Sequence, residues 1–405
     1  MEKPPGAILI LASPPDTSHP GDWYSRKIVG VPFLLLNLLN LQRGGVERVA
    51  VYHPALNSSQ AEPLRRLVED SRVQGEVEWV LDPEALDRIV QDESCRLLVN
   101  GGALHDKTDI ADALAGIGNP KSAEAARGIE ISRQAALNVI QDLVETGEIS
   151  SGSAPDGSQE KNAGQNLVVF AGSPETRVRR EADFKIQRER LLTRGGMATD
   201  SFMDRWVSRF FSRQFTRLFI DTPVTPNQVT WMHLVVGVGS AWFFYQGTYS
   251  MVVAGAVLLM ISAWLDATDG ELARLRFQQS RFGMILDIIG DNVVHWAVFL
   301  GIGWGAAQIT GDPIYKYCGV FSVAGAVLSF LLLQASVFQK RGGGSYEPSG
   351  WEDELANRDF LYFLLVMALV NQLNIFIAIT AVGSNVFAAY VFYKKRKMSQ
   401  RVQEQ

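Results

Sequence analysis

Four carboxylates stand where a long uncharged stretch gives way to charge. Asp266 and Asp269 are three residues apart and Asp287 and Asp291 four apart, and either spacing puts both members of a pair on one helix face. If the two helices pack side by side, the four converge. Such a group is costly at membrane depth, because the charges leave water and repel one another. Hard divalent cations, Mg2+ or Mn2+, relieve that cost, since they take oxygen ligands and also bridge phosphate oxygens. The chemistry favoured is phosphoryl transfer, in which metal neutralises developing charge and one less committed carboxylate accepts a proton from an attacking hydroxyl. Gly270 and Gly283 leave room for backbone or nucleotide to come close, and Arg274 offers a fork of donors to a phosphate or carboxylate. Taken singly, each Asp is as readily an ordinary polar residue at a helix end.

The elements that must position these groups are apolar. Residues 222–265 contain no Asp, Glu, Lys or Arg, and a helix needs about 20 apolar residues to span a bilayer. Two helices fit there, divided at 245–250. A third runs over 282–309, a fourth over 317–339, and the uncharged 360–393 holds two more if it turns near 371–374. Six membrane helices are expected. Arg274, Arg276 and Arg281 fall between the second and third, Lys340, Arg341 and Arg358 between the fourth and fifth, and Lys394 to Lys397 after the sixth, with Lys316 the exception on the other side. Basic residues flank cytoplasmic ends, so both termini are expected in the cytoplasm, with the chain crossing the cell (inner) membrane several times. Ahead of the first helix, Arg205, Arg209, Arg213 and Arg217 recur every fourth residue among Trp206, Phe210, Phe211, Phe215 and Phe219. That pattern fits an amphipathic helix lying in the membrane interface with its guanidinium groups at lipid phosphates.

The first half reads as α/β. Residues 7–12, 46–52 and 96–100 have the composition of buried strands and 33–42 of a helix, which together suggest a mostly parallel sheet. Residues 150–165 are rich in Ser, Gly and Asn, as in a linker. Over all 405 residues the composition is 47% hydrophobic with a net charge of −5. This average conceals a polar half and an apolar half. Two cysteines exclude a disulfide framework and a cysteine-rich metal site. The acidic balance disfavours nucleic-acid binding, which needs a basic excess. The apolar run 7–12 is too short for a secretory signal.

Asp266, Asp269, Gly270, Ala273, Arg274, Gly283, Asp287 and Asp291 fill every specified position, and the spacer, of DxxDGxxARx8GxxxDxxxD. The chain from the arginine-striped helix onward thereby resembles the CDP-alcohol phosphatidyltransferase family. Residues 225–230, Thr-Pro-Asn-Gln-Val-Thr, resemble the segment opening the first membrane helix of these enzymes, though Thr225-Pro226 is equally a plain helix cap. The resemblance implies transfer of a substituted phosphate from a CDP-alcohol, such as CDP-diacylglycerol or CDP-inositol, to a second alcohol, with release of CMP. It assigns Asp266, Asp269, Asp287 and Asp291 to two Mg2+ or Mn2+ ions, Asp291 also to proton acceptance, and Gly270, Ala273, Arg274, Gly283 and Asn227 to the CDP moiety. An acceptor bearing a phosphate, inositol phosphate for example, would draw on Arg281, Lys340, Arg341 and Arg358, whose positions the positive-inside tendency explains equally well. Membrane lipid and a homodimer partner complete the expected associations. His233 and His295 are expected to pack or to hydrogen-bond between helices.

The first half resembles sugar-nucleotide and cytidylyl transferases more faintly. Lys27 and Gly30-Val31-Pro32-Phe33 match, but Ser13-Pro14-Pro15-Asp16 replaces a Gly-rich phosphate loop, and Gly102 stands where those enzymes place a metal-binding Asp. Both departures remove groups that nucleotidyl chemistry needs. The expected division is an inactive nucleotidyltransferase-like domain at 1–190, a linker and interfacial helix at 191–222, a membrane domain at 223–397 and a tail at 398–405. The fusion resembles enzymes of the di-myo-inositol-phosphate-phosphate synthase type, in which a cytidylyltransferase making CDP-inositol precedes a membrane transferase. Two alternatives stay open: a bifunctional enzyme that also makes its CDP-alcohol from CTP, and a transporter or scaffold that keeps the carboxylates as an ion site.

Overall fold

The computed structural model describes residues 5–14, 19–54, 58–115, 128–149, 166–194, 204–341 and 359–403, and the chain divides into two compact units, Met1–Leu191 and Leu192–Gln405. The linker expected at 150–165 lies outside the described residues.

In the first unit, strands β1 (Gly6–Ile10), β4 (Arg48–Tyr52), β5 (Glu76–Val80), β6 (Cys95–Asn100), β7 (Ile129–Ser132) and β8 (Asn166–Phe170) form one sheet in the order β5-β4-β1-β6-β8-β7. Every pairing is parallel except β7 with β8. A small hairpin, β2 (Lys27–Ile28) with β3 (Val31–Pro32), turns through Val29 and Gly30, both at positive φ. All five residues of β1 are buried, and because neighbouring side chains point to opposite faces, both faces of the sheet are covered. Helices α1 (Pro20–Ser25), α2 (Phe33–Arg43), α3 (Ser58–Val68), α4 (Pro83–Gln91), α5 (Lys107–Ala115), α6 (Arg133–Glu145) and α7 (Glu181–Thr193) alternate with the strands. Ile8, Ile10 and Leu98 of the sheet pack with Val90 of α4 and Val139, Ile140 and Leu143 of α6. The expected strands and helix therefore stand where composition placed them, with ends shifted by one or two residues.

At the carboxyl ends of β1 and β6, where parallel sheets usually bind ligands, several polar groups are engaged by the protein itself. Asn100 Nδ2 donates to the carbonyls of Gly147 (3.0 Å) and Ala171 (2.8 Å), and its Oδ1 accepts from the Gly102 amide at 2.8 Å. The hydroxyl of fully buried Tyr24 donates to the Ala12 carbonyl at 3.0 Å, and Asn37 Nδ2 to the Gly101 carbonyl at 2.9 Å. A Cβ on Gly102 would stand 3.0 Å from Ala12 Cβ and 3.1 Å from Asn100 Oδ1.

The second unit is helical. A π-helical turn (Asp204–Ser208) leads into α8 (Arg209–Phe219), followed by α9 (Pro226–Gln246), α10 (Tyr249–Leu275), α11 (Arg281–Thr310), α12 (Ile314–Arg341), α13 (Asp359–Leu369) and α14 (Leu373–Gln403). Among the described residues four helical segments are long and apolar enough to cross a membrane: Tyr249–Leu275, Arg281–Thr310, Ile314–Leu333 and Leu373–Arg396. All six sequence segments are helical, but α9 falls outside this group and α13 is a shorter apolar helix, Phe360–Leu369 over its described part. Phe244 of α9, Leu259 of α10, Val294 and Val298 of α11, Leu361 and Leu364 of α13 and Phe376 of α14 share one core.

Helix α8 departs from the reading of its arginine stripe. Arg209 is buried and its Nη1 lies 2.6 Å from Oε1 of buried Glu271 on α10. The same Oε1 accepts from Ser212 at 3.0 Å, and Oε2 from Thr216 at 2.7 Å. Phe211 stacks on Trp264 with centroids 3.9 Å apart. Trp206, Phe210 and Leu218 are exposed large apolar residues of this segment. A polar seam faces the bundle because Glu271 needs partners once it is out of water, and part of the aromatic side faces away.

Candidate active site

Three helix ends converge on the carboxylates, each fixed by a local signal. Helix α9 opens with a reciprocal cap: the Gln228 amide donates to Thr225 Oγ1 (3.4 Å) and the Thr225 amide to Gln228 Oε1 (2.9 Å), with Pro226 in the first turn. Helix α11 opens at Ser280, whose Oγ accepts from the Gly283 amide at 3.0 Å. Between α10 and α11 the chain reverses through Phe277 at φ 58°. Arg276, buried at the end of α10, donates to the carbonyls of Phe219 (2.6 Å), Ile220 (2.6 Å), Thr222 (2.7 Å) and Val224 (2.6 Å). Its cation thus answers the carbonyl end of α8 and the turn into α9, a task invisible in a residue that reads simply as a flanking positive charge.

Asp266 and Asp269 on α10 are buried, and Asp287 and Asp291 on α11 are partly buried. One ligand atom from each of Asp266, Asp269 and Asp287 lies within 4.8 Å of the others, and so do atoms of His233, Asp266 and Asp291. Thr230 of α9 donates its hydroxyl to Asp269 Oδ2. His233, one turn further on and 2% exposed, points Nε2 at Asp291 Oδ1 (3.6 Å) and Asp266 Oδ1 (3.9 Å) and gives that nitrogen no hydrogen-bond partner. Its Nδ1 lies 3.2 Å from the Ser262 carbonyl and 3.0 Å from Ser262 Oγ. Oxygen donors at this density, with an open buried nitrogen beside them, fit divalent cations of the kind that take carboxylate ligands.

The family model of the CDP-alcohol phosphatidyltransferases matches residues 223–391, the stretch that carries all four carboxylates. Residues 223–391 form a CDP-alcohol phosphatidyltransferase domain. The chain is 29% identical over 159 residues to a bifunctional IPC transferase and DIPP synthase of Rubrobacter xylanophilus, covering 39% of this chain and 35% of that protein. It is 27% identical over 146 residues to a phosphatidylinositol phosphate synthase of Mycobacterium bovis, covering 36% of this chain and 66% of that one. This chain therefore spans about a third of the length of the first relative and under two thirds of the second. A crystal structure of the Mycobacterium tuberculosis phosphatidylinositol phosphate synthase with CDP-DAG bound aligns at 21% identity and a TM-score of 0.36 over 46% of this chain and 92% of that one.

Within the phosphatidyltransferase domain the other signature residues gather at the same helix ends. The Arg274 guanidinium lies over Gly270, whose Cβ would stand 3.2 Å from Nη1. Gly283 makes room for Asn227: a Cβ there would meet Asn227 Oδ1 at 2.6 Å. Ala273 is partly buried on α10, next to Arg274. Arg281 is exposed in the first turn of α11. Lys340 and Arg341 belong to the end of α12 with side chains outside the described residues, as is Arg358 entirely. His233, expected to pack or to hydrogen-bond between helices, does bond Ser262 of α10 through Nδ1, and the fold also brings its Nε2 to the carboxylates. Its one advance signal was an ionisable group in an otherwise apolar stretch.

Proposed function

We propose that the chain is an integral-membrane CDP-alcohol phosphotransferase that moves a substituted phosphate from a CDP-alcohol, CDP-diacylglycerol or CDP-inositol, to an acceptor alcohol such as inositol phosphate, releasing CMP. The observation that carries this reading is the convergence of Asp266, Asp269, Asp287 and Asp291 from α10 and α11 inside the matched domain. Asp266, Asp269 and Asp287 hold Mg2+ or Mn2+, two ions with Asp291 completing the set. Such ions supply charge neutralisation at the diphosphate. Gly270, Ala273, Arg274, Gly283 and Asn227 form the CDP subsite, in which the bare backbone at Gly270 admits the nucleotide and Arg274 offers paired donors to a phosphate oxygen. Asp291, whose side chain is 26% exposed, accepts the proton of the attacking hydroxyl. Attack is in line at the phosphorus distal to cytidine, so alignment and charge complementarity do most of the work and no covalent nucleophile is needed. Arg281, Lys340, Arg341 and Arg358 supply positive charge for a phosphate on the acceptor.

The reading places six helices of the second unit in the cell (inner) membrane as a homodimer, with α8 in the interface and both termini cytoplasmic. Support for the interface comes from the exposed aromatic side of α8 and from the second-unit helices, which leave Trp231, Trp242, Val235 and Val386 exposed, as lipid-facing surfaces do. The first unit is an inactive nucleotidyltransferase-like domain, supported by the occupied crevice at Asn100 and by the contacts that crowd Gly102.

Purified protein given each CDP-alcohol, candidate acceptors and Mg2+ should release CMP, and Asp291→Asn should lower the rate by about two to four orders of magnitude, the usual span for a general base. Absence of CMP with every pair, or an unchanged rate in the variant, refutes the reading. CTP alone should yield no pyrophosphate; its release would instead make the enzyme bifunctional.

A further inference from the structure

We propose that His233 is a nitrogen ligand, forming with Asp266 and Asp291 a three-donor cation position that favours a transition-metal ion over Mg2+. This rests on the reading above that the site holds divalent cations, and it names which kind one position selects.

Ser262 Oγ donates its hydrogen to the His233 carbonyl at 3.0 Å, so the same oxygen is available only as an acceptor toward Nδ1. The Ser262 carbonyl beside it has nothing to donate. In the neutral ring, the form that ligates a cation, Nδ1 therefore carries the hydrogen, shared between these two oxygens at 3.0 and 3.2 Å. Nε2 is left with its lone pair.

That lone pair faces two carboxylate oxygens at 3.6 and 3.9 Å. Both separations exceed a direct hydrogen bond, and a lone pair set against anions in a buried pocket is unfavourable on its own. A shared cation reverses the sign of all three contacts. Donors each about 2.1 Å from one ion lie roughly 3.0 to 4.2 Å apart, depending on the angle between them, and both separations from Nε2 fall in that interval. Holding the far ring nitrogen with a carbonyl and a hydroxyl is also how protein scaffolds orient a ligating imidazole. The neighbouring trio of Asp266, Asp269 and Asp287 offers oxygen alone. The two positions thus differ in softness: imidazole suits later divalent metals, while an all-carboxylate set suits Mg2+.

The test uses full-length protein in detergent, with Mn2+ alone as the probe. Pulsed electron paramagnetic resonance of the bound Mn2+ should show coupling to one histidine nitrogen, shifting in frequency when the chain is grown with 15N-histidine. His233→Gln should abolish the coupling and weaken Mn2+ binding by about tenfold or more, with a smaller effect on Mg2+ competition. His295→Gln, changed one turn beyond Asp291, should leave the coupling intact. Should His233→Gln fail to fold, a chain retaining His233 as the sole one of its five histidines must keep it. Mn2+ bound without nitrogen coupling, or coupling lost in His295→Gln and kept in His233→Gln, overturns this proposal alone. No bound Mn2+ overturns both it and the metal reading beneath it.

Discussion

Replacing Arg209 by Met should destabilise the second unit more than any surface charge change. Glu271 is 2% exposed, and its carboxylate is met by the Arg209 guanidinium at 2.6 Å and by the hydroxyls of Ser212 at 3.0 Å and Thr216 at 2.7 Å. The hydroxyls cannot neutralise a charge. Removing one partner of a buried pair leaves the other uncompensated, at a cost of about 3–5 kcal/mol. For a unit of about 200 residues each kcal/mol moves the midpoint by roughly 2–4 °C, so the expected drop is roughly 6–20 °C. Glu271→Gln alone should cost a similar amount, since it leaves the Arg209 cation uncompensated and replaces one of the two acceptor oxygens by an amide that cannot accept. The decisive measurement is the double variant Arg209→Met with Glu271→Gln, which removes both charges and should recover at least about 1.5 kcal/mol relative to the sum of the single changes. Thermal unfolding in detergent, followed by tryptophan fluorescence, reads all four proteins. A single Arg209→Met variant within about 0.5 kcal/mol of wild type, or strict additivity in the double, would refute the claim that this seam joins α8 to α10.

Gly283→Ala would drive a methyl to 2.6 Å from Asn227 Oδ1 and should cost about 1–3 kcal/mol by overpacking; Asn227→Ala in the same chain should restore the midpoint but not CMP release. Burial pushes the Cys95 thiol up to about 12, so a disulfide reagent at pH 8 should leave Cys95 unmodified in the folded protein and react with it in urea. Burial, with a smaller contribution from His19, holds His53 down at about 4. The unfolded chain then takes a proton near pH 6.5 that the folded chain refuses, so this contribution is complete above pH 6.5 and declines as pH falls to 4, by about 3 kcal/mol in all. Hydrogen exchange in β1 and β4 of the full chain should show that decline, and His53→Gln should flatten it.

Spacing alone located the four carboxylates, because a charge-free run of apolar residues leaves few places for ionisable groups and helical periodicity fixes their faces. The strands of the first unit are legible for a similar reason: β1 is a short unbroken apolar run, and β6 carries Leu97, Leu98 and Val99 at its centre. Periodicity tells which residues share a side but not where that side looks, and so a stripe that reads as facing lipid phosphates contains Arg209, which turns inward to Glu271. Arg276 was hidden differently, since its four carbonyl partners lie more than 50 residues away in sequence. His233 sits among residues whose only visible property is hydropathy, and the approach of three helices is what gives its ring a task. Of the six expected membrane helices, four are long and apolar enough over their described residues to cross a bilayer, while α9 has no stretch of comparable mean hydropathy and α13 is shorter over its described part.

The crowded glycine beyond β6 makes position 102 a place where the packing takes up little addition. A side chain there would press on Ala12 and on the Asn100 oxygen that holds the Gly102 amide, and Asn100 also ties the loops at Gly147 and Ala171. A change at this one glycine would therefore be felt in all of these loops together, so that the carboxyl end of the sheet responds as a single mechanical piece.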